Sequence, residues 1–326
     1  MLFSTHTFQA PEFYPRYGFE LFAEDRDVPV GAGEIHYRKR LDRVEEERSM
    51  QIELETLATG YGLIEGPRVD AVGGLHFSDV HNGGVYRRDP DGSISVVVPK
   101  RRGVGGIVLH ADGGVVVSGR NICHVKDGET RILWNQEDVG GYNDLFTDAE
   151  GGVWFGSLRS SPFDESRGKV MGELYHLHPD GRCEEVHGGV ALTNGIGFSP
   201  DGKRVYHSDS VPRVVWCYEW DEEGTISRST FAQLDRGGPD GLAVDEEGAG
   251  WVACYGGGCV LRYGSHGALL GEVDVPAKAI TSLCFGGDDR RDLYIVTADN
   301  DDADLGGTIF RGRSPVAGLP VPLARV

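Results

Sequence analysis

Residues 142–157, YNDLFTDAEGGVWFGS, and 193–209, TNGIGFSPDGKRVYHSD, share one pattern: a polar residue, a short apolar run, an acidic glycine turn and a second apolar run. Worked outward, the pattern organises the chain. The second run recurs as LHFSD at Leu75, VVVSG at Val115, VWFGS at Val153, VYHSD at Val205, WVACY at Trp251 and LYIVT at Leu293. A loop rich in Gly and Asp precedes each one, from DAVGG through HADGG, DAEGG, SPDGK and DEEGA to GGDDRRD. A further strand-like piece follows, such as VYRRDPDG or LYHLHPDG. Short β-rich runs joined by D-G or E-G turns are hairpins, because those turns need φ > 0. A unit of about 40–45 residues and four strands is a propeller blade, and six units predict an all-β, six-bladed β-propeller. A parallel α/β fold would need long helical-period segments between strands, and the chain has none. The ring has to close, since an open blade exposes a sheet edge. Residues 50–58 (MQIELETLA) alternate as a strand does and are expected beside Gly307–Arg313 in the last blade.

Composition agrees. Glycine makes up 49 of 326 residues, about twice the usual share, which suits many tight turns and few helices. The net charge of −19 argues against nucleic acid and against an anionic membrane surface as partners. No apolar run approaches the ~18 residues of a spanning helix, and the start lacks the pattern of a signal peptide. The six cysteines show no CxxC spacing and are read as reduced thiols of a cytoplasmic protein, with a Cys254–Cys259 disulfide across the GGG turn as the open alternative. Residues 1–50 stand outside the repeat as an N-terminal extension to the propeller of residues 51–326. Their charged end, residues 38–48, is expected to form a helix, and the extension itself to be solvated, a lid, or a homodimer contact.

Aligned on their glycine loops, the repeats place Glu65, Gly105, Asn143, Asn194, Asp240 and Thr281 in one register, just before each innermost strand. In a propeller such positions surround the central channel at one level. Glu65, Asn143, Asn194 and Asp240 then turn carboxylate or amide oxygens toward one point, where two acids repel unless a cation lies between them. An all-oxygen donor set suits Ca²⁺, and next Mg²⁺ or Mn²⁺. Asp before Gly at Asp91 and Asp201 is an ordinary turn residue, outside this register.

These motifs resemble the senescence-marker-protein/gluconolactonase/luciferin-regenerating-enzyme family of regucalcin-like propellers over residues 55–323. The likeness rests on IEGPRVDAVGGLHFSDVHNGGVYRRDPDG (64–92), the two stretches quoted first, PDGLAVDEEGAGWVACYGGGCVLRY (239–263) and AITSLCFGGDDRRDLYIVTA (279–298). The resemblance implies one divalent cation, usually Ca²⁺ and sometimes Zn²⁺, on Glu65, Asn194 and Asp240, with Asn143 as a further active-site residue. It also implies Asp240 as general base and hydrolysis of a sugar lactone or related ester. One position departs from it: animal-type sugar lactonases carry an arginine two residues before the Asn of the ND motif, and Gly141 stands there.

The function expected is thus a metal-dependent hydrolase opening a lactone, with Asp240, Glu65 and Asn143 catalytic, and Asn143, Thr281 and His81 contacting substrate. A different hydrolase or a hydratase on the same cation, or a non-catalytic ligand-binding propeller with a structural cation, are the alternatives. No GxSxG elbow is present. His81 and His207 read as core or rim. His176 and His178, alternating on an outer strand, read as surface. The run DNDDAD (299–304) reads as a solvated loop, and Gly103–Gly105 as a propeller turn rather than a nucleotide site.

Overall fold

The second strand of each repeat is apolar on both faces because it lies between two other strands and two other blades; Val153–Leu158 and Arg204–Asp209 are buried almost throughout. Outermost strands such as Ile94–Val98 are mostly exposed. The computed structural model describes residues 49–160, 170–221, 223–298 and 306–326, together with the backbone of Leu2–His6, Glu20–Asp25 and Glu34–Arg38. It forms six four-stranded antiparallel sheets arranged as a propeller.

Five blades take their strands in chain order. Blade one is Ile64–Val69, Leu75–Asp79, Val85–Arg88 and Ile94–Val98. Blade two runs from Ile107–Leu109 to Glu129–Trp134, blade three from Gly141–Thr147 to Cys183–Val190, blade four from Thr193–Phe198 to Ile226–Gln233, and blade five from Gly238–Val244 to Leu269–Asp274. Blade six combines Ile280–Gly286, Asp292–Thr297 and Gly307–Arg313 with Glu55–Tyr61 from before blade one. Ile309 faces Ala58 and Arg311 faces Glu55 across that last pairing. Closure is therefore as expected, with the strand beginning at Glu55 rather than Met50. Met50, Ile52 and Leu54 lie outside the ladder, packed against apolar side chains of blades five and six.

The core is a ring of apolar clusters, each straddling two neighbouring blades: Val85 with Ile107, Tyr142 with Ile122, Trp154 with Ile196, Tyr206 with Leu242, Trp251 with Ile280, and Ile64 with Ile309. Each blade buries both faces, so no blade is stable alone.

Two findings lie beyond the sequence reading. The segment after blade six crosses the lower end of the channel: Leu319 N–H donates to Val244 O, Ala324 N–H to Leu109 O and Arg325 N–H to Gly151 O. Pro320 and Pro322, which cannot donate to a ladder, hold it extended there. Residues 1–49 form a separate compact unit, a three-stranded antiparallel sheet with Glu34–Arg38 in the middle. The helix expected over residues 38–48 therefore does not include Arg38, which ends a strand; residues 39–48, and the acidic run 299–304, lie outside the described residues. All six cysteines are free thiols. Among the described residues no helix is long and apolar enough to cross a membrane.

Candidate functional site

Innermost strands of five blades break register at the level where the aligned residues stand. The irregularities fall between Glu65 and Arg68, Tyr142 and Leu145, Thr193 and Ile196, Pro239 and Leu242, and Ile280 and Ser282. A bulge inserts an extra residue and re-aims its side chain. Asn143, Asn194, Asp240 and Thr281 all lie inside such a bulge. Glycines make the tight ring possible: a Cβ on Gly195 would stand 2.2 Å from Leu242 N, and Gly66 adopts φ of 57° against Ile107 N.

Hydrogen bonds join the ring side by side. Asn143 Nδ2 donates to Thr193 O and to Asn194 Oδ1, both at 2.7 Å. Asn194 Nδ2 donates to Ser210 Oγ at 2.7 Å, and Ser210 in turn to Pro239 O at 2.6 Å, one residue before Asp240. Both donors of Asn143 are thus committed, one of them to the Asn194 side chain. Asp240 Oδ1 is buried and accepts no hydrogen bond.

Burial, and then the charge of Asp240, push Glu65 well above the usual carboxylate range. Asp240 is raised by burial and then by Asp144. Asp144, the residue after Asn143, is raised to about 6 by burial, although Arg68 and the Leu145 N–H oppose this. Arg68 is buried, donates to Pro67 O and Leu145 O, and lies over the Phe146 ring at 4.9 Å. The sequence reading missed Asp144 and Arg68. Asp144 directly follows Asn143 and Arg68 stands three residues after Glu65, and without the bulges an odd step along a strand turns a side chain to the opposite face. Fully ionised, the three carboxylates against one guanidinium would leave two net negative charges, the charge of one divalent cation. The all-oxygen donors and the orphaned Asp240 oxygen fit such an ion.

The other assigned residues separate. Thr281 is fully buried, and its hydroxyl lies 2.5 Å from Ile64 O and 3.1 Å from Val296 O. It ties blade six to blade one. His81 is exposed on the loop after Leu75–Asp79. His207 is a core residue beside Thr193, with burial lowering its pKa to about 3. Gly141 lines a cavity of about 550 Å³ with Gly103, Gly119, Arg120 and Glu137.

Residues 63–299 match the model of the SMP-30/gluconolactonase/LRE-like region. The chain belongs to this family. It is 32% identical over 265 residues to the pentonolactonase XacC of Haloferax volcanii, covering 76% of this chain and 88% of that protein. It is also 32% identical over 264 residues to the 6-deoxy-6-sulfogluconolactonase of Pseudomonas putida, covering 76% and 90%. The solved structure of a luciferin-regenerating enzyme superposes with a TM-score of 0.76 at 26% identity, covering 85% of this chain and all of that one.

Proposed function

We propose that the chain hydrolyses a lactone at the channel mouth, where Glu65, Asn194 and Asp240 hold one divalent cation, Ca²⁺ foremost. The observation that carries this reading is Asp240: a buried carboxylate oxygen with no partner, in a ring of oxygen donors fixed by neighbouring amides. Bound there, a cation supplies Lewis-acid polarisation of a carbonyl oxygen.

The chain's own residues supply the rest. Asp240 takes the proton of a water whose oxygen attacks the lactone carbonyl carbon. As the acyl–oxygen bond of the ring breaks, the ring oxygen receives a proton and leaves as the hydroxyl of a hydroxy acid. Glu65 adds negative charge that holds the cation, and Asn143 keeps Asn194 in one orientation. Arg68, near Glu65 and Asp144, lowers the cost of keeping them ionised. With the segment at 319–322 lining the lower cavity, substrate enters from the mouth.

The test is a panel of lactones followed by acidification. The protein should open at least one of them, lose about 100-fold or more of the rate in EDTA, and recover it with added Ca²⁺, Zn²⁺, Mn²⁺ or Mg²⁺. A panel without cation-dependent acidification removes the reading.

The cavity beside Gly141 bears on the substrate. It opens two residues before Asn143, roughly 6–7 Å along the strand. Arg120 and Glu137 give it one charge of each sign, with Asn135, Gln136 and glycines beside them and Val139, Tyr142 and Leu158 as its apolar part. A lactone with a polar substituent beyond the ring fits this space. Gly141→Arg fills it; the new Cβ meets only Gly119, at 3.1 Å from its carbonyl oxygen. KM for the preferred extended lactone should rise about tenfold, while an unsubstituted lactone changes little. Equal effects on both place the substituent elsewhere.

A further inference from the structure

Blades one, three and five repeat one device at the turn before their second strand. Asp70, Asp148 and Asp245 each accept backbone N–H groups of their own turn. Each also holds a side chain of the second strand (His76, Trp154 or Trp251) and one of the third. In blades one and five the third-strand partner is a guanidinium: Arg87 Nε is 2.7 Å from Asp70, and Arg262 Nε is 2.8 Å from Asp245. Their remaining contacts go to Asp89 and Glu247. In blade three the same position is His176, whose Nε2 stands 2.7 Å from Asp148 Oδ2. The contact is an ion-pair approach without hydrogen-bond alignment, and an imidazole with Nε2 against a carboxylate has Nδ1 to offer as a lone-pair donor.

What surrounds that nitrogen differs from the other blades. Glu184 is directly opposite His176 in the hairpin, where blade one has Ser95 opposite Arg87 and blade five has Gly271 opposite Arg262. His178, two residues on, shares the face, its ring centroid 3.8 Å from that of His176. Glu184 Oε1 is 3.9 Å from His176 Nδ1 and 3.0 Å from His178 Nε2. Donors on one tetrahedral ion with bonds of about 2.1 Å lie roughly 3.4 Å apart, inside that range. The ligand atoms of His176, His178 and Glu184 all lie within 4.8 Å of one another, close enough to share one ion.

We infer that His176 Nδ1, His178 Nε2 and Glu184 Oε1 bind a divalent transition-metal ion, Zn²⁺ by preference, at the lower end of the propeller and separately from the channel mouth. Two imidazoles and one carboxylate suit Zn²⁺, Co²⁺, Ni²⁺ or Cu²⁺ and not Ca²⁺. Asp148 is the carboxylate behind the ligating histidine, in ion-pair contact with its far nitrogen. Arg182 Nη1 pairs with the other oxygen of Glu184 and leaves Oε1 to the ion. The two histidines are 13% and 21% exposed, and all three ligands line a cavity of about 840 Å³ that Arg68 also reaches, so a fourth position stays open to water or an anion. Reading HLH as surface, as its sequence suggests, misses Glu184, which only the hairpin brings opposite.

The test removes the mouth site first. In the full chain carrying Glu65→Gln and Asp240→Asn, stripped of metal, calorimetry should find one bound equivalent of Zn²⁺, and Co²⁺ should give the intense visible bands of tetrahedral coordination. Adding His178→Ala or Glu184→Gln should weaken Zn²⁺ at least about tenfold, and Asp148→Asn about tenfold, with thermal unfolding confirming the fold of each variant. A double variant that takes up no Zn²⁺, or undiminished binding after both ligand substitutions, overturns the assignment.

Discussion

Asp240→Asn should lower kcat/KM for lactone opening by about 10³-fold or more while the propeller remains folded. The substitution keeps shape and removes the proton acceptor, and loss of a general base alone typically costs 10²–10⁴-fold. It also removes one of three buried carboxylates that repel one another. In EDTA the variant should therefore unfold at the same temperature as the parent or higher, since removing an unpaired buried charge relieves desolvation. Added Ca²⁺ should stabilise the parent, because an ion that binds only the folded state raises Tm by mass action, and this gain should vanish in the variant. Activity above a tenth of the parent's would remove Asp240 from the chemistry. An unchanged Ca²⁺-dependent rise in Tm would remove it from the ion.

Gly195→Ala should cost on the order of 3 kcal/mol or more, lowering Tm by roughly 5–10 °C, with activity falling alongside. The new Cβ would stand 2.2 Å from Leu242 N and 2.6 Å from Gly241 C, backbone atoms of the next inner strand that no rotamer change can move. Relief requires the inner strands of blades four and five to part, and Asn194 and Asp240 lie on those two strands. Gly202→Ala is the control. Gly202 has φ of 70° with nothing within 4 Å of the added carbon, so it loses only the left-handed preference, about 1–2 kcal/mol. If both variants unfold together near the parent, close packing of inner strands is not what the ring glycines provide.

Local signals reached far here because a propeller repeats one supersecondary unit. Six loops rich in Gly and Asp before apolar runs, four of them with a D-G or E-G turn, suffice for the blade count, and the alternation of residues 50–58 points to closure of the ring by the chain's earlier part. Where that strand starts was not legible, since Met50, Ile52 and Leu54 are as apolar as a strand needs and packing against blades five and six takes them instead. The aligned positions of Glu65, Asn143, Asn194 and Asp240 were legible for the same reason as the blades. Asp144 and Arg68 were not, because alternation assigns a neighbour to the opposite face and a bulge cancels that assignment.

By itself, then, the sequence determined the all-β repeat, the number of blades and the register of four oxygen-bearing residues, all properties of turn chemistry and spacing within forty-odd residues. Tertiary structure decided which of those groups meet and in what electrostatic surroundings. It committed the Thr281 hydroxyl to backbone carbonyls, brought Arg68 near Glu65 and Asp144, left an oxygen of Asp240 without a partner, and brought Glu184 opposite His176. Contacts between blades and across bulged strands depend on the closed ring, and no local pattern encodes them.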